Sequence, residues 1–100
     1  MQKIIVYWRD IPAQVIVKHR RDRGTVELSQ RFQEAIDRAA MRAGKGSSDD
    51  YLEDWRRDTT AARGEGSLQG LAQQEADLIE SHYSEEALSQ LVANLGYQSQ

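Results

Sequence analysis

A hydrophobic stretch at the N-terminus constrains the fold more than any other part of the sequence. Residues 3–9, KIIVYWR, are mostly β-branched or aromatic and alternate with a period of two, which predicts a β-strand. Both faces of this segment begin apolar. We therefore expect the strand to be covered on two sides or to lie at the centre of a small sheet.

Two turns and two further strands follow this segment. Residues 10–13, DIPA, predict a turn, because proline fixes its own φ and cannot donate to a β-ladder. Residues 13–20 then predict a second strand. Residues 21–24, RDRG, predict a second turn in which glycine supplies the permissive backbone, and residues 25–28 predict a short third strand. The result is a three-stranded antiparallel β-meander, which needs a helix on one face to be stable.

The rest of the chain has the apolar spacing of amphipathic helices. Serine precedes three of these segments and serves as an N-cap, and Asp50 with Glu53 has the spacing of a capping box. The predicted helices, three or four in number depending on whether the last two are continuous, cover residues 29–43, 50–62, 67–83 and 84–95. Together with the meander they predict an α+β fold in one layered domain.

Length and charge set further bounds. A chain of 100 residues makes one domain, which we expect over residues 1–96, with residues 97–100 as a frayed tail. The net charge of −3 divides into about +5 for residues 1–45 and about −8 for residues 46–100. Two interpretations stay open. The halves neutralise each other in the fold, or they form two oppositely charged surfaces that attract different partners.

Several features indicate a cytoplasmic protein without membrane contact. The longest apolar run, residues 4–8, is far too short for a membrane span, and the N-terminus lacks the pattern of a signal peptide. The chain has no cysteine, which excludes disulfides, a thiolate nucleophile and zinc thiolates.

Motifs for catalysis or cofactor binding are weak. His19 and His82 lie far apart in the chain, and no nucleophile-elbow pattern is present. The carboxylates of residues 49–54 suit a hard cation but lack EF-hand spacing, and they also suit a helix N-terminus. Residues 44–47, GKGS, lack the first glycine of a phosphate-binding loop. We expect no cofactor and no metal, and the balance of these observations is against an enzyme.

The strongest basic segment is residues 18–23, KHRRDR. With Tyr7 and Trp8 on the neighbouring strand, it combines charge and stacking surfaces as nucleic-acid-binding proteins do. Against this, the whole chain is acidic and shows no RNA- or DNA-binding signature. Basic side chains also protect the edges of sheets from aggregation, and this is the explanation that we favour.

The segments YWRDIPAQV and FQEAIDRAAMRAG, with YLEDW and RR, closely resemble a small bacterial family known as the virulence factor domain. The resemblance runs from about Lys3 to Leu95. It implies a small protein of the kind common in alphaproteobacteria, and its label describes a phenotype, with no established catalytic residues. It also implies an accessory role in folate and corrinoid one-carbon metabolism. The corresponding alternative hypothesis is a small enzyme or cofactor-handling protein of that metabolism that uses Arg9, Asp10 and His19.

The first turn is also the candidate contact surface. Tryptophan and arginine are favoured anchors of binding energy, so the turn either only holds the hairpin, with Arg9 and Asp10 paired or fixing the turn, or grips a protein partner. The arginines after the second strand are available for an acidic partner. The predicted partner-binding residues are Trp8, Arg9, Asp10, Gln14, Arg20, Arg21 and Arg23. We therefore expect a non-catalytic interaction or accessory domain, whose partner and oligomeric state the sequence leaves open.

Overall fold

The structure is a computed structural model that describes residues 1–45 and 48–98. Its strands are β1 (Gln2–Trp8), β2 (Ile11–His19), β3 (Asp22–Glu27) and β4 (Trp55–Ala61), and its helices are α1 (Gln30–Arg42), α2 (Ser48–Glu53), α3 (Leu68–His82) and α4 (Glu85–Ala93). Gly46 and Ser47 of the glycine-containing loop, the end of the tail, Ser99-Gln100, and the side chain of the predicted cap Asp50 fall outside the description. No helix in the described ranges is long and apolar enough to cross a bilayer.

The α+β class and the antiparallel pairing of the three predicted strands are confirmed, but the predicted strand count is wrong because the sheet has a fourth strand. The strand order is β3-β2-β1-β4, with every neighbour antiparallel. β1 therefore lies inside the sheet, as its two apolar faces indicate. The predicted helix over residues 50–62 is also wrong, since α2 ends at Glu53 and β4 begins at Trp55. β4 is an exposed edge strand, so it has no alternation of apolar and polar residues to reveal it.

The first turn is shorter than the turn over residues 10–13 that the sequence predicts. Arg9 and Asp10 alone connect β1 to β2, and Arg9 has the left-handed φ of 54°. Pro12 lies within β2, opposite Tyr7, where the pairing register shifts by one residue. Such a bulge is one of the few places where a strand accepts proline.

The second predicted turn is displaced toward the N-terminus. The chain turns at Arg20-Arg21, with Arg20 at a φ of 59°, and residues 22–24 already belong to β3. Gly24 is not a turn residue. A Cβ at this position would overlap the backbone of Leu68 and Gln69, so the glycine allows the first turn of α3 to lie directly against β3.

The core lies between one face of the sheet and the helices. α3 packs on β2 and β3, while α1 packs on α4. The largest fully buried side chains include Trp8, Ile11 and Phe32. On the sheet's other face, Ile4 is directly opposite Ile16 and both are buried, although neither belongs to the main core.

Candidate functional site

Arg9 ties the first turn to two distant parts of the chain. Its guanidinium group points inward, with 8 % of the side chain exposed. It donates from Nη1 to the carbonyl of Leu95 at 2.7 Å and from Nη2 to the carboxylate of Asp54 at 3.3 Å. The guanidinium carbon also lies 4.9 Å from the centre of the Trp8 ring and 4.5 Å from that of Tyr97. Arg9 thus joins the turn both to the segment before β4 and to the C-terminal segment.

Two of the predicted contact residues are buried in the structure and contact other parts of the chain. Trp8 is fully buried, and its indole N–H donates to the carbonyl of Tyr51 at 3.0 Å while the two rings stack. Arg9 pairs with Asp54 and not with Asp10. These contacts hold the turn in place. Direct contact between a partner and either side chain stays a prediction, and it would require the turn to open.

Asp10, by contrast, lies at the surface and organises its neighbours. Its Oδ1 accepts from Nη2 of Arg56 at 3.1 Å, and its Oδ2 accepts from the backbone N–H of Gln98 at 2.7 Å. Arg56 also donates from Nε to the carbonyl of Arg9 at 2.9 Å and lies 4.3 Å above the Tyr7 ring. One carboxylate therefore holds together the turn, β4 and the C-terminal segment.

A surface groove opens beside this carboxylate. Its volume is about 410 Å³, and its walls come from the first turn, the end of α3, α4 and the C-terminal segment. We call it the turn groove. It is lined by Asp10, His82, Tyr83, Ala87, Gln90, Leu91 and Gln98.

Two tyrosines near the groove stay protonated at neutral pH. Burial raises the pKa of the Tyr83 phenol, and the negative charge of Asp10 raises it further, with Arg56 acting in the opposite direction. Burial is also the main cause of the raised pKa of Tyr7, with Tyr83 and Asp58 adding to it. Both phenols are therefore neutral hydrogen-bonding groups. Together with ring faces and apolar patches, they suit recognition of a ligand by shape and hydrogen bonds.

The structure divides the other predicted contact residues between two ends of the sheet. Gln14 is half-buried in β2, on the strand row that contains Val6 and Glu27. The exposed arginines, Arg20, Arg21 and Arg23, lie where β2 meets β3. A nine-residue strand separates this turn from Asp10, which corresponds to about 27 Å. The basic turn and the turn groove are two surfaces.

Among the described side chains of the acidic segment, the carboxylate of Asp54 is already engaged by cationic groups of the protein. Asp54 is taken up by Arg9 at 3.3 Å and by Lys45 at 3.8 Å. In the part of the chain that the structure describes, no three His, Asp or Glu side chains are placed to hold a metal ion together.

Sequence reasoning missed most of the turn groove. Tyr83, Gln90 and Gln98 carry no motif, and they come from different parts of the chain. His82 was noticed only as an isolated histidine. The one available signal was Asp10, whose position in a tight turn directs its carboxylate outward.

Comparison with known protein families identifies the family of the chain. The model of the family described as "Virulence factor" matches residues 6–92. The chain belongs to the virulence factor family. The resemblance carried by YWRDIPAQV is thereby confirmed. The match to the virulence factor family includes Tyr7, Asp10, Arg56 and Tyr83, whereas the segment from Leu95 to Gln98 follows its end. Searches among curated proteins and among solved structures gave no significant match.

Proposed function

We propose that this virulence factor domain is a non-catalytic interaction or accessory module that binds a protein partner in the turn groove. The observation that carries the proposal is the groove itself, a concavity of about 410 Å³ formed by four separate segments. This volume lies within the usual range for binding sites, roughly 300–1,000 Å³. It accommodates a few side chains of a partner's loop or terminus.

The groove's polar groups support recognition. The carboxylate of Asp10 already accepts hydrogen bonds from Arg56 and from the N–H of Gln98. Its position is therefore fixed before any ligand arrives, which reduces the entropy lost on binding. Gln90 and His82 also line the groove, are exposed, and offer donors and acceptors of their own.

Apolar surface supplies the second element of such a site. Ala87 is half-buried and Leu91 is buried, and both line the groove from α4. These two side chains add apolar surface to the polar groups of the groove, and a site that binds a side chain uses both kinds of contact.

A comparison of matched variants in affinity capture tests the proposal. The tagged chain, a His82→Ala/Gln90→Ala variant and a Gln73→Ala control are each used to capture proteins from the native cell. Gln73 is exposed on α3 and does not line the turn groove, so its variant controls for loss of a surface amide. We expect at least one protein that the wild type and the control both recover, and that the double variant recovers at about one-tenth of that level or less.

The opposite result of the capture experiment would contradict the proposal. Equal recovery by a double variant that keeps the wild-type unfolding midpoint would remove the groove as the contact surface. The cofactor-handling role implied by the family resemblance predicts a different outcome, in which a folate or a corrinoid binds the purified chain in equilibrium dialysis and the double variant weakens that binding.

A further inference from the structure

The outer edge of β4 is an open strand edge. Two hydrogen bonds mark the ends of its ladder with β1, from Arg9 N to Asp54 O and from Ala62 N to Met1 O. Because orientation alternates along a strand, the residues with even numbers direct their backbone groups toward β1. The residues with odd numbers therefore direct their N–H and C=O groups outward. They are Trp55, Arg57, Thr59 and Ala61.

Nothing in residues 1–45 or 48–98 covers this edge. The side chains from Arg56 to Ala61 are all exposed, and no described group makes a hydrogen bond to the outward backbone groups. Seven residues of extended backbone with unused donors and acceptors can pair with another strand.

The opposite edge of the sheet, formed by β3, is not free to pair with another strand, in contrast to the edge formed by β4. The side-chain amide of Gln69 donates to the carbonyl of Thr25 at 2.9 Å and accepts from its N–H at 3.2 Å. Gln69 thereby replaces the peptide group of a neighbouring strand, and α3 lies along the same edge. Further pairing is blocked at β3 and not at β4.

We propose that β4 pairs antiparallel with β4 of a second copy of the chain, about a two-fold axis at Thr59. The charge pattern of the strand supports this occupant. The first half contains Arg56, Arg57 and Asp58, whereas the second half, from Thr59 to Ala61, is uncharged. Antiparallel pairing about Thr59 places the charged half of each strand against the uncharged half of the other.

Two other symmetric registers are less favourable. An axis at Arg57 or at Asp58 places two like charges directly opposite each other, which destabilises a sheet. With the axis at Thr59, the two threonines face each other, Asp58 faces Thr60 of the second copy, and Arg57 faces Ala61 of the second copy. Arg56 does not interfere, because its guanidinium group is folded back over Tyr7 and Asp10. The product is a continuous eight-stranded sheet.

Analytical ultracentrifugation tests the assembly. The protomer has a mass of 11.4 kDa, and we expect the mass to double as the concentration rises to about 500 µM. Thr59→Lys places two ammonium groups opposite each other, so it should weaken the dimer at least tenfold. Thr60→Lys is the matched control. It adds the same charge one residue away, opposite Asp58 of the second copy and opposite Lys3 of its own β1, so a Thr60→Lys chain that keeps the wild-type unfolding midpoint should also keep the dimer.

Single cysteines test the register, since the chain has none of its own. Thr59→Cys places the two Cα atoms about 5.5 Å apart across the axis, which a disulfide can bridge. Thr60→Cys places them about 8 Å apart, which exceeds the limit of about 7 Å. We expect mild oxidation to link the first variant covalently and to leave the second unlinked. A chain that stays monomeric at every concentration, a dimer that Thr59→Lys leaves intact, or equal linking of both variants overturns the proposal.

Discussion

Truncating Arg9 should lower the stability of this domain more than truncating any exposed arginine. Arg9→Ala removes one hydrogen bond to the carbonyl of Leu95 and one ion pair with Asp54. A hydrogen bond from a charged group contributes about 1.5–3 kcal/mol. The contacts with the two aromatic rings add about 0.5–1 kcal/mol where they are exposed and more where they are buried.

Two features limit the loss. Asp54 is 20 % exposed, and Lys45 lies 3.8 Å from its carboxylate, so the carboxylate left behind is partly solvated and partly neutralised. Breaking a fully buried pair costs about 3–5 kcal/mol, so we expect a loss of about 3–4 kcal/mol here. In a domain of this size such a loss lowers the melting temperature by about 15–25 °C.

Urea unfolding, followed by tryptophan fluorescence and by circular dichroism, measures the effect. Arg9→Lys keeps the charge but cannot reach both acceptors with one ammonium group, so its stability should lie between those of the wild type and Arg9→Ala. Arg38→Ala, at an exposed position on α1, is the control and should stay within about 0.5 kcal/mol of the wild type. A loss below about 1 kcal/mol for Arg9→Ala would refute the role assigned to this side chain.

Two further predictions concern the backbone and the tyrosines. Gly24→Ala should destabilise the domain by more than about 2 kcal/mol because its methyl group meets the α3 backbone, whereas Gly44→Ala, in open space at a φ of 71°, should cost only about 1 kcal/mol in the same urea assay. Equal effects would contradict the close approach of α3. The raised pKa values of Tyr7 and Tyr83 mean that these phenols keep their protons in the folded state at a pH where the unfolded chain loses them, near 10. The resulting stability is fully present below about pH 10 and declines as the pH rises through the shifted pKa values. Tyr83→Phe should therefore reduce the slope of unfolding free energy against pH above about pH 10, and an unchanged slope would count against the shift.

The strands with a buried face could be predicted from the sequence. β1 and β2 carry β-branched residues that alternate or run continuously, and their side chains enter the core, so periodicity reports burial directly. β4 could not be predicted in this way, because its residues after Trp55 are exposed on both sides. Its existence depends on pairing with β1, a contact between distant parts of the chain that local pattern does not record.

The candidate site was harder to predict than the fold. Trp8 and Arg9 attracted notice as residue types that bind partners, yet the same properties, a large ring and a forked donor, make them suitable for holding a buried turn. Whether such a residue binds a partner or holds the turn depends on whether its side chain is buried in the fold. The groove's walls meet only after folding, so no segment of the sequence contains the site.

The position of Arg9 has a consequence for synthesis on the ribosome. The carbonyl of Leu95 that accepts from Arg9, and the N–H of Gln98 that donates to Asp10, are translated 86 and 88 residues later than the side chains they meet. Domains generally fold as units, so until these later residues have emerged the guanidinium and carboxylate groups of the turn are solvated by water. The hairpin therefore acquires its final contacts only when the C-terminal segment becomes available to it.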